Sequence, residues 1–270
     1  MSHFPTQRPH PRTLVNTALY PLEEQQSDAY RQSIATAVRD FATAGSVFLP
    51  AFLSVEGLAL LRSEAERFSP KAIRSNRSAN PYGVDADVST PGGHPLRILS
   101  PTDRYGLAYH LIGDSALGDL YRWPPVKQVV ADVMGWGRLF LHEDPSNALV
   151  LQIYRTAGGL AWHFDRAGFS CTLYLQESQE GGEVEHVPAL RSQHDECFAE
   201  VAAVLRGSRE RVVRQNAEPG GLAIFTGNST LHRVAPVKGP RARMSLVLSY
   251  EERAGVKLDV ATRKLFFGPD

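Results

Sequence analysis

The chain lacks most of the features that would assign it quickly to a class of protein. Its 270 residues include only two cysteines, Cys171 and Cys197, with no Cys-x-x-Cys spacing. That is too few for a disulfide scaffold and implies a reducing compartment. Neither sign of charge dominates: Lys plus Arg and Asp plus Glu number 29 each, which removes the basic footprint of a nucleic-acid binder. The apolar runs are strand-length, so no membrane-spanning helix is expected. The first residues, Met1 to Pro9, lack the apolar stretch of a signal peptide, and a cytoplasmic location is expected. No internal repeat and no low-complexity tract occurs. What is present, 43% hydrophobic and 21% charged residues, is enough to bury a core. A small-molecule substrate is the expected partner, with neither nucleic acid nor membrane. Oligomeric state is not specified by the sequence.

Residues 1–22, rich in Pro and polar groups, are expected to form an extended surface arm. Ile34, Val38 and Phe41 have helical spacing within 27–44, and Gly45 can stop that helix. Ser46–Leu53 is a strand candidate. Ser54 can cap a second helix, with Leu58, Leu61, Ala65 and Phe68 on one face. Residues 69–96, full of Ser, Asn, Pro and Gly, predict a long loop, of a length usual for functional lids or disordered segments. A third helical region spans about 115–133 and restarts at Pro124-Pro125. Beyond Gly135 the texture becomes β-like. Strands are predicted at Arg138–His142, Ala148–Tyr154, Ser170–Gln176, Gly182–Val187, Gly221–Phe225 and Arg243–Tyr250, with one helix near His194–Leu205. A β-rich core over about 138–250, supported by helices over about 25–135, predicts one α+β domain spanning 1–270, with helices on one sheet face.

Chemistry is concentrated in Trp162-His163-Phe164-Asp165. On a strand, residues two apart share a face, so His163 and Asp165 can converge on one metal. His232 offers a third ligand. Two imidazoles and a carboxylate on one face of an octahedron leave three positions open, the arrangement of non-haem iron(II) sites. Spacing alone also fits a core histidine bonded to Asp165, and His142-Glu143-Asp144 is a competing cluster. Arg243 and Ser245 again lie two apart. A guanidinium fork and a hydroxyl aimed into a β-core suit a carboxylate. In the other register Arg243 faces solvent and Met244, Leu246 and Leu248 form the core face.

Trp162-His163-Phe164-Asp165 is followed by the 181–191 stretch Gly-Gly-Glu-Val-Glu-His-Val-Pro-Ala-Leu-Arg, then Pro-Gly-Gly-Leu-Ala-Ile-Phe at 219–225. Leu231-His232-Arg233-Val234-Ala235-Pro236-Val237 and Arg243-Met244-Ser245 complete the series. This order resembles the iron(II)/2-oxoglutarate-dependent dioxygenase superfamily, and within it the bacterial subgroup of free-amino-acid hydroxylases and radical halogenases. The resemblance covers about 95–269 and is strongest over 144–251. It implies a double-stranded β-helix, or jelly roll, with N-terminal helices packed on one face. It implies iron(II) on His163, Asp165 and His232, and the distal carboxylate of 2-oxoglutarate on Arg243 with Ser245, O₂ being the second co-substrate. Halogenating members of the subgroup have a small residue at the carboxylate position. Asp165 fills that position here, so the resemblance favours hydroxylation.

Substrate contacts are expected among Arg166, Arg191, Ser249, Glu143 and Arg97, with Asp144, Asn147 and Arg104 also in range; Trp162 and Tyr154 read as packing residues. The function expected is hydroxylation of an unactivated C–H bond of a small polar metabolite such as a free amino acid. A carrier-bound or natural-product substrate, hydroxylated, desaturated or cyclised, is the alternative. A non-catalytic metal-binding β-barrel sensor is the alternative of another class.

Overall fold

The computed structural model describes residues 8–258. Its large sheet is antiparallel and holds seven strands. In spatial order these are β1 (Ser46–Leu49), β11 (Leu222–Phe225), β7 (Ser170–Gln176), β14 (Arg243–Leu248), β5 (Leu149–Tyr154), β3 (Ser100–Ala108) and β2 (Ile73–Ala79). A smaller sheet runs β10 (Val213–Arg214), β9 (Val184–Val187), β12 (Leu231–Val234) and β6 (Leu160–His163). Two short pairs complete the strands: β13 (Val237–Lys238) with β8 (Glu180–Gly181), and β15 (Tyr250–Glu251) with β4 (Phe140–Leu141). Two facing antiparallel sheets with helices on the outside are the expected α+β jelly roll.

Strand alternation explains why the sheets face one another. On the outer face of the large sheet, Leu107, Leu149, Leu151, Ile153, Leu173, Leu222, Ile224 and Leu246 are buried in one apolar cluster with the helices. Those helices are α1 (Asp28–Ala44), α2 (Val55–Phe68), α3 (Tyr109–Ile112), α4 (Ala116–Arg122) and α5 (Pro124–Met134). The opposite, inner face carries Gln152, Tyr154, Thr172, Tyr174, Arg243 and Ser245. Tyr174 and Ala223 meet Val184 of the small sheet, with Phe48 and Val234 packed around them, closing one end of the interior. The small sheet's other side packs Trp162, Val187 and Leu231 on Val201 and Val204 of α6 (Phe198–Leu205).

Local signals hold the helices where the sequence predicts them. Ser27 caps α1 by accepting the Tyr30 N–H at 3.0 Å, and Gly45 ends it in the left-handed conformation. Pro124 opens α5 at a position needing no N–H, which is why the third helical region is split.

Three expectations are corrected. The N-terminal segment is no surface arm, at least from residue 8 onward: Leu14, Val15, Tyr20 and Leu22 are buried in the main core, while residues 1–7 lie outside the described residues. The loop predicted at 69–96 contains β2, which pairs over its whole length with the equally unpredicted β3. Both strands escape the apolar-alternation test because β2 is an edge strand with mostly polar residues, and β3 carries Thr102 and Arg104 on its inner face. The strand predicted at Arg138–His142 shrinks to Phe140–Leu141.

Gly57 of α2 lies directly under the N-terminal segment, and a Cβ there would stand 2.1 Å from the Leu14 carbonyl oxygen. Replacement Gly57→Ala is therefore expected to cost at least about 1 kcal/mol by overpacking. Denaturant unfolding checks this; an unchanged midpoint would show that the segment is not docked as described.

Candidate metal centre

β6 is short, with Ala161 and His163 turned inward and Trp162 buried against α6. Directly across, His232 on β12 is the register partner of His163, and the two ring centroids are 4.0 Å apart. Asp165 arrives by a different route from the one its spacing suggests. The strand ends at His163, so Asp165 does not share its pleat. Instead the Phe164 N–H donates to the Pro81 carbonyl at 2.9 Å and the Asp165 N–H to the Gly227 carbonyl at 3.0 Å. Those two bonds bend the chain and return the carboxylate to the histidines. Asp165 Oδ1 then lies 3.4 Å from His163 Nε2 and 3.5 Å from His232 Nε2. All three side chains offer a ligand atom within 4.8 Å of the others, a group able to hold a metal ion.

The second nitrogen of each ring fixes its orientation. His163 Nδ1 is 2.9 Å from the Ala161 carbonyl, and His232 Nδ1 is 2.9 Å from the Thr230 carbonyl. With Nδ1–H donating to a carbonyl, the Nε2 lone pair is left facing the third ligand, the tautomer that metal binding requires. Electrostatics within the cluster centre on the carboxylate. Burial opposes a charged Asp165, but His232 and His163 outweigh it and hold the carboxyl far below its usual range. Burial together with His232 lowers the His163 pKa, whereas Asp165 overcomes burial at His232 and raises it. The two imidazoles thus favour the ionised form of the carboxylate between them. Gly227 makes room for it: a Cβ there would be 2.2 Å from Asp165 Oδ2. No periodicity marks Gly227, and only a structure reveals the need for it.

Arg243 is buried at 3% exposure on the inner face, with its guanidinium 4.9 Å from the Tyr174 ring centroid. Its Nε and Nη2 have no hydrogen-bond partner. Ser245 is also buried and faces inward on the same strand. A buried guanidinium with unused donors is costly unless an anion fills the gap. The solvent-facing register considered for Arg243 is thereby excluded. Tyr154, expected only to pack, sits between Arg243 and Arg104 on the inner face and donates its hydroxyl to Gln152. At the rim, Arg77 on β2 is half-buried, and burial lowers its pKa with help from the neighbouring Arg104 and Arg166.

The remaining substrate candidates divide. Ser249 follows the end of β14, donates its N–H to the Ala148 carbonyl at 3.0 Å, and has its hydroxyl 3.5 Å from Asn147 Nδ2. Arg166 is at the rim, with Nη2 3.5 Å from the Gly83 carbonyl. Three others are committed elsewhere. Arg97 donates to the carbonyls of Asp87 and Val88 and so staples its own loop. Arg191 bonds the Asn228 carbonyl and Glu196 and stacks 4.2 Å from the Phe164 ring, bracing the ligand-bearing turns from behind. Glu143 is exposed and accepts the Gly255 N–H at 3.1 Å. Asp144, likewise considered, is fully buried and caps the Ser146 N–H. The competing cluster His142-Glu143-Asp144 does not assemble a three-ligand site among the described residues.

The jelly roll encloses a two-histidine, one-carboxylate cluster of the ligand set that suits a non-haem iron(II) ion. A family profile described as halogenase D matches residues 110–265, and the chain belongs to that family. No curated protein matches it. Solved structures with the same fold include an oxidoreductase of the 2OG-Fe(II) oxygenase family from Burkholderia pseudomallei, at 16% identity and TM-score 0.53, covering 83% of this chain and 92% of that one. A Pseudomonas putida prolyl-4-hydroxylase aligns at 19% identity and TM-score 0.50 over 79% of this chain and 96% of that one. The epimerase SnoN, solved with Fe3+, alpha ketoglutarate and nogalamycin RO, aligns at 14% identity and TM-score 0.57 over 82% and 84%.

Because Gly227 abuts the carboxylate, Gly227→Ala is expected to weaken divalent-metal binding by about tenfold or more while the chain stays folded. Calorimetric titration with iron(II) or cobalt(II) checks this. Wild-type affinity in the variant would mean that Asp165 is not held at the metal.

Proposed function

We propose that this protein is an iron(II)- and 2-oxoglutarate-dependent oxygenase that hydroxylates an unactivated C–H bond of a small anionic metabolite, a free amino acid or close derivative. The observation that carries the reading is the meeting, in one interior, of His163, Asp165 and His232 with a buried arginine that has unused donors. His163, Asp165 and His232 would bind iron(II) and leave three positions for other ligands. Arg243, assisted by Ser245, would hold the distal carboxylate of 2-oxoglutarate, since a guanidinium fork matches a carboxylate by two parallel bonds. The donor set and the orphaned guanidinium atoms both fit these groups. When bound, the metal and co-substrate supply the overall reaction R–H + 2-oxoglutarate + O₂ → R–OH + succinate + CO₂.

The chain's own residues orient and shield. The carbonyl-anchored Nδ1 atoms of His163 and His232 lock both rings. Phe225 stands edge-on to His232 with centroids 4.9 Å apart and keeps water from that side. Val184, Tyr174 and Ala223 close the interior behind. Arg77, Arg104 and Arg166 give the rim a cationic character that suits a substrate carboxylate. Ser249, directly after β14, is a further candidate for a substrate contact. Asp165 decides between two outcomes for a chain whose family is described as halogenase D. A carboxylate that occupies a metal position leaves no vacancy there for a halide, so oxygen transfer is the reading that Asp165 supports.

Titrating anaerobic protein with iron(II) and then 2-oxoglutarate should produce a weak visible charge-transfer band, absent in His163→Ala. Arg243→Leu should retain iron yet raise the Kd for 2-oxoglutarate by about thirtyfold or more, the loss expected for charge-assisted bonds to a buried carboxylate. A screen of amino acids should then find one that stimulates succinate release and gains one oxygen. No band in the wild type would reject the oxygenase; a chlorinated product would reject the role given to Asp165.

A further inference from the structure

The inner face of the small sheet presents three histidines in one cross-strand row. His186 on β9 is the register partner of His232, which in turn faces His163. On its other side His186 pairs with Val213, and the Gln215 N–H donates to the Val184 carbonyl at 2.9 Å. Strand alternation therefore puts the Gln215 side chain on the inner face with Val184 and His186. His186 and Gln215 are 5% and 8% exposed. His186 Nδ1, Gln215 Nε2 and Gln215 Oε1 are all buried without a hydrogen-bond partner. Buried polar atoms are almost always satisfied, and orphans mark the place of an ordered water or a ligand atom. The buried side-chain orphans among the described residues belong to just three residues, and the third is Arg243 on the facing sheet.

That distribution brackets the interior. A 2-oxo diacid has a distal carboxylate, which Arg243 suits, and a metal-proximal carboxylate. When the proximal group chelates through one oxygen, its other oxygen needs a donor from the protein. We propose that His186 and Gln215 are that donor pair, forming the second half of the 2-oxoglutarate site on the side of His232. The assignment rests on the oxygenase reading above. It gives the co-substrate a polar contact at each end, one per sheet, so that the two sheets are read together by one molecule. The two side chains are neighbours, since Gln215 acts directly on the His186 ring, yet His186 Nδ1 and both polar atoms of Gln215 still lack a hydrogen-bond partner that satisfies them. His186 also abuts a metal ligand, whereas Gln215 is removed from the triad by the width of a strand, and the two substitutions test the idea separately.

The experiment compares wild type with His186→Leu and Gln215→Leu as iron(II) complexes under anaerobic conditions. The probes are 2-oxoglutarate and succinate, which keeps a distal carboxylate but has no oxo-acid end. Each variant is expected to raise the Kd for 2-oxoglutarate by about tenfold and to shift the visible band, while succinate binding stays near the wild-type value. Iron affinity is measured directly in each, and if His186→Leu loses iron, Gln215→Leu alone decides. A wild-type Kd and band position in Gln215→Leu would show that the pair holds only water and would overturn the assignment. Equal weakening of succinate and 2-oxoglutarate would overturn it too, placing the effect at the Arg243 end or in the fold. A wild type with no band at all would instead remove the oxygenase reading on which the assignment stands.

Discussion

The site depends first on the register between β12 and β6. His232 and His163 are directly opposed across that pair, and each ring is fixed by a bond to the carbonyl two residues earlier. Because side chains alternate with period two, a slip of one residue would turn one histidine out of the interior. No surface side chain could restore the geometry, since the rings are oriented by backbone groups. The carboxylate is fixed by backbone too, through the Asp165 N–H on the Gly227 carbonyl. A cluster positioned by peptide bonds rather than by flexible side chains is pre-organised before any metal arrives.

The large sheet has a division of labour that follows from the same alternation. Its outer face, packed on α1, α2, α4 and α5 with fully buried Leu, Ile and Val, supplies the hydrophobic stabilisation. Its inner face carries Arg243, Ser245, Gln152, Tyr154 and Tyr174, which would be poor core material. Unsatisfied guanidinium atoms destabilise an interior, and the apolar face compensates for that cost. Apolar packing and a polar interior thus sit on opposite sides of one sheet, separated by the thickness of the backbone.

Much of this was legible in the sequence, for identifiable reasons. The helices announce themselves through Ser27, Gly45, Ser54 and Pro124, and the central strands through apolar runs at 149–154, 170–176 and 243–248. His163, Asp165 and His232 were readable as a chemical set, although the strand argument for Asp165 was not the mechanism that places it. β2 and β3 were hidden because strands bordering a polar pocket lose the apolar alternation that betrays other strands. Arg97, Arg191 and Glu143 show the converse limit. A charged residue near a motif in sequence carries no mark of the carbonyl or ring that engages it in the fold. Gly227, His186 and Gln215 were missed because their importance lies in contacts across strands.

The most direct test of the central claim is X-ray absorption at the iron edge of the anaerobic iron(II) protein, with and without 2-oxoglutarate. The account predicts two imidazoles with oxygen donors making up the rest of the shell, and an unchanged imidazole count when the co-substrate adds its oxygens. One imidazole would mean that β12 and β6 do not bring their histidines together. A third imidazole, or sulfur in the shell, would equally contradict a site built from His163, Asp165 and His232.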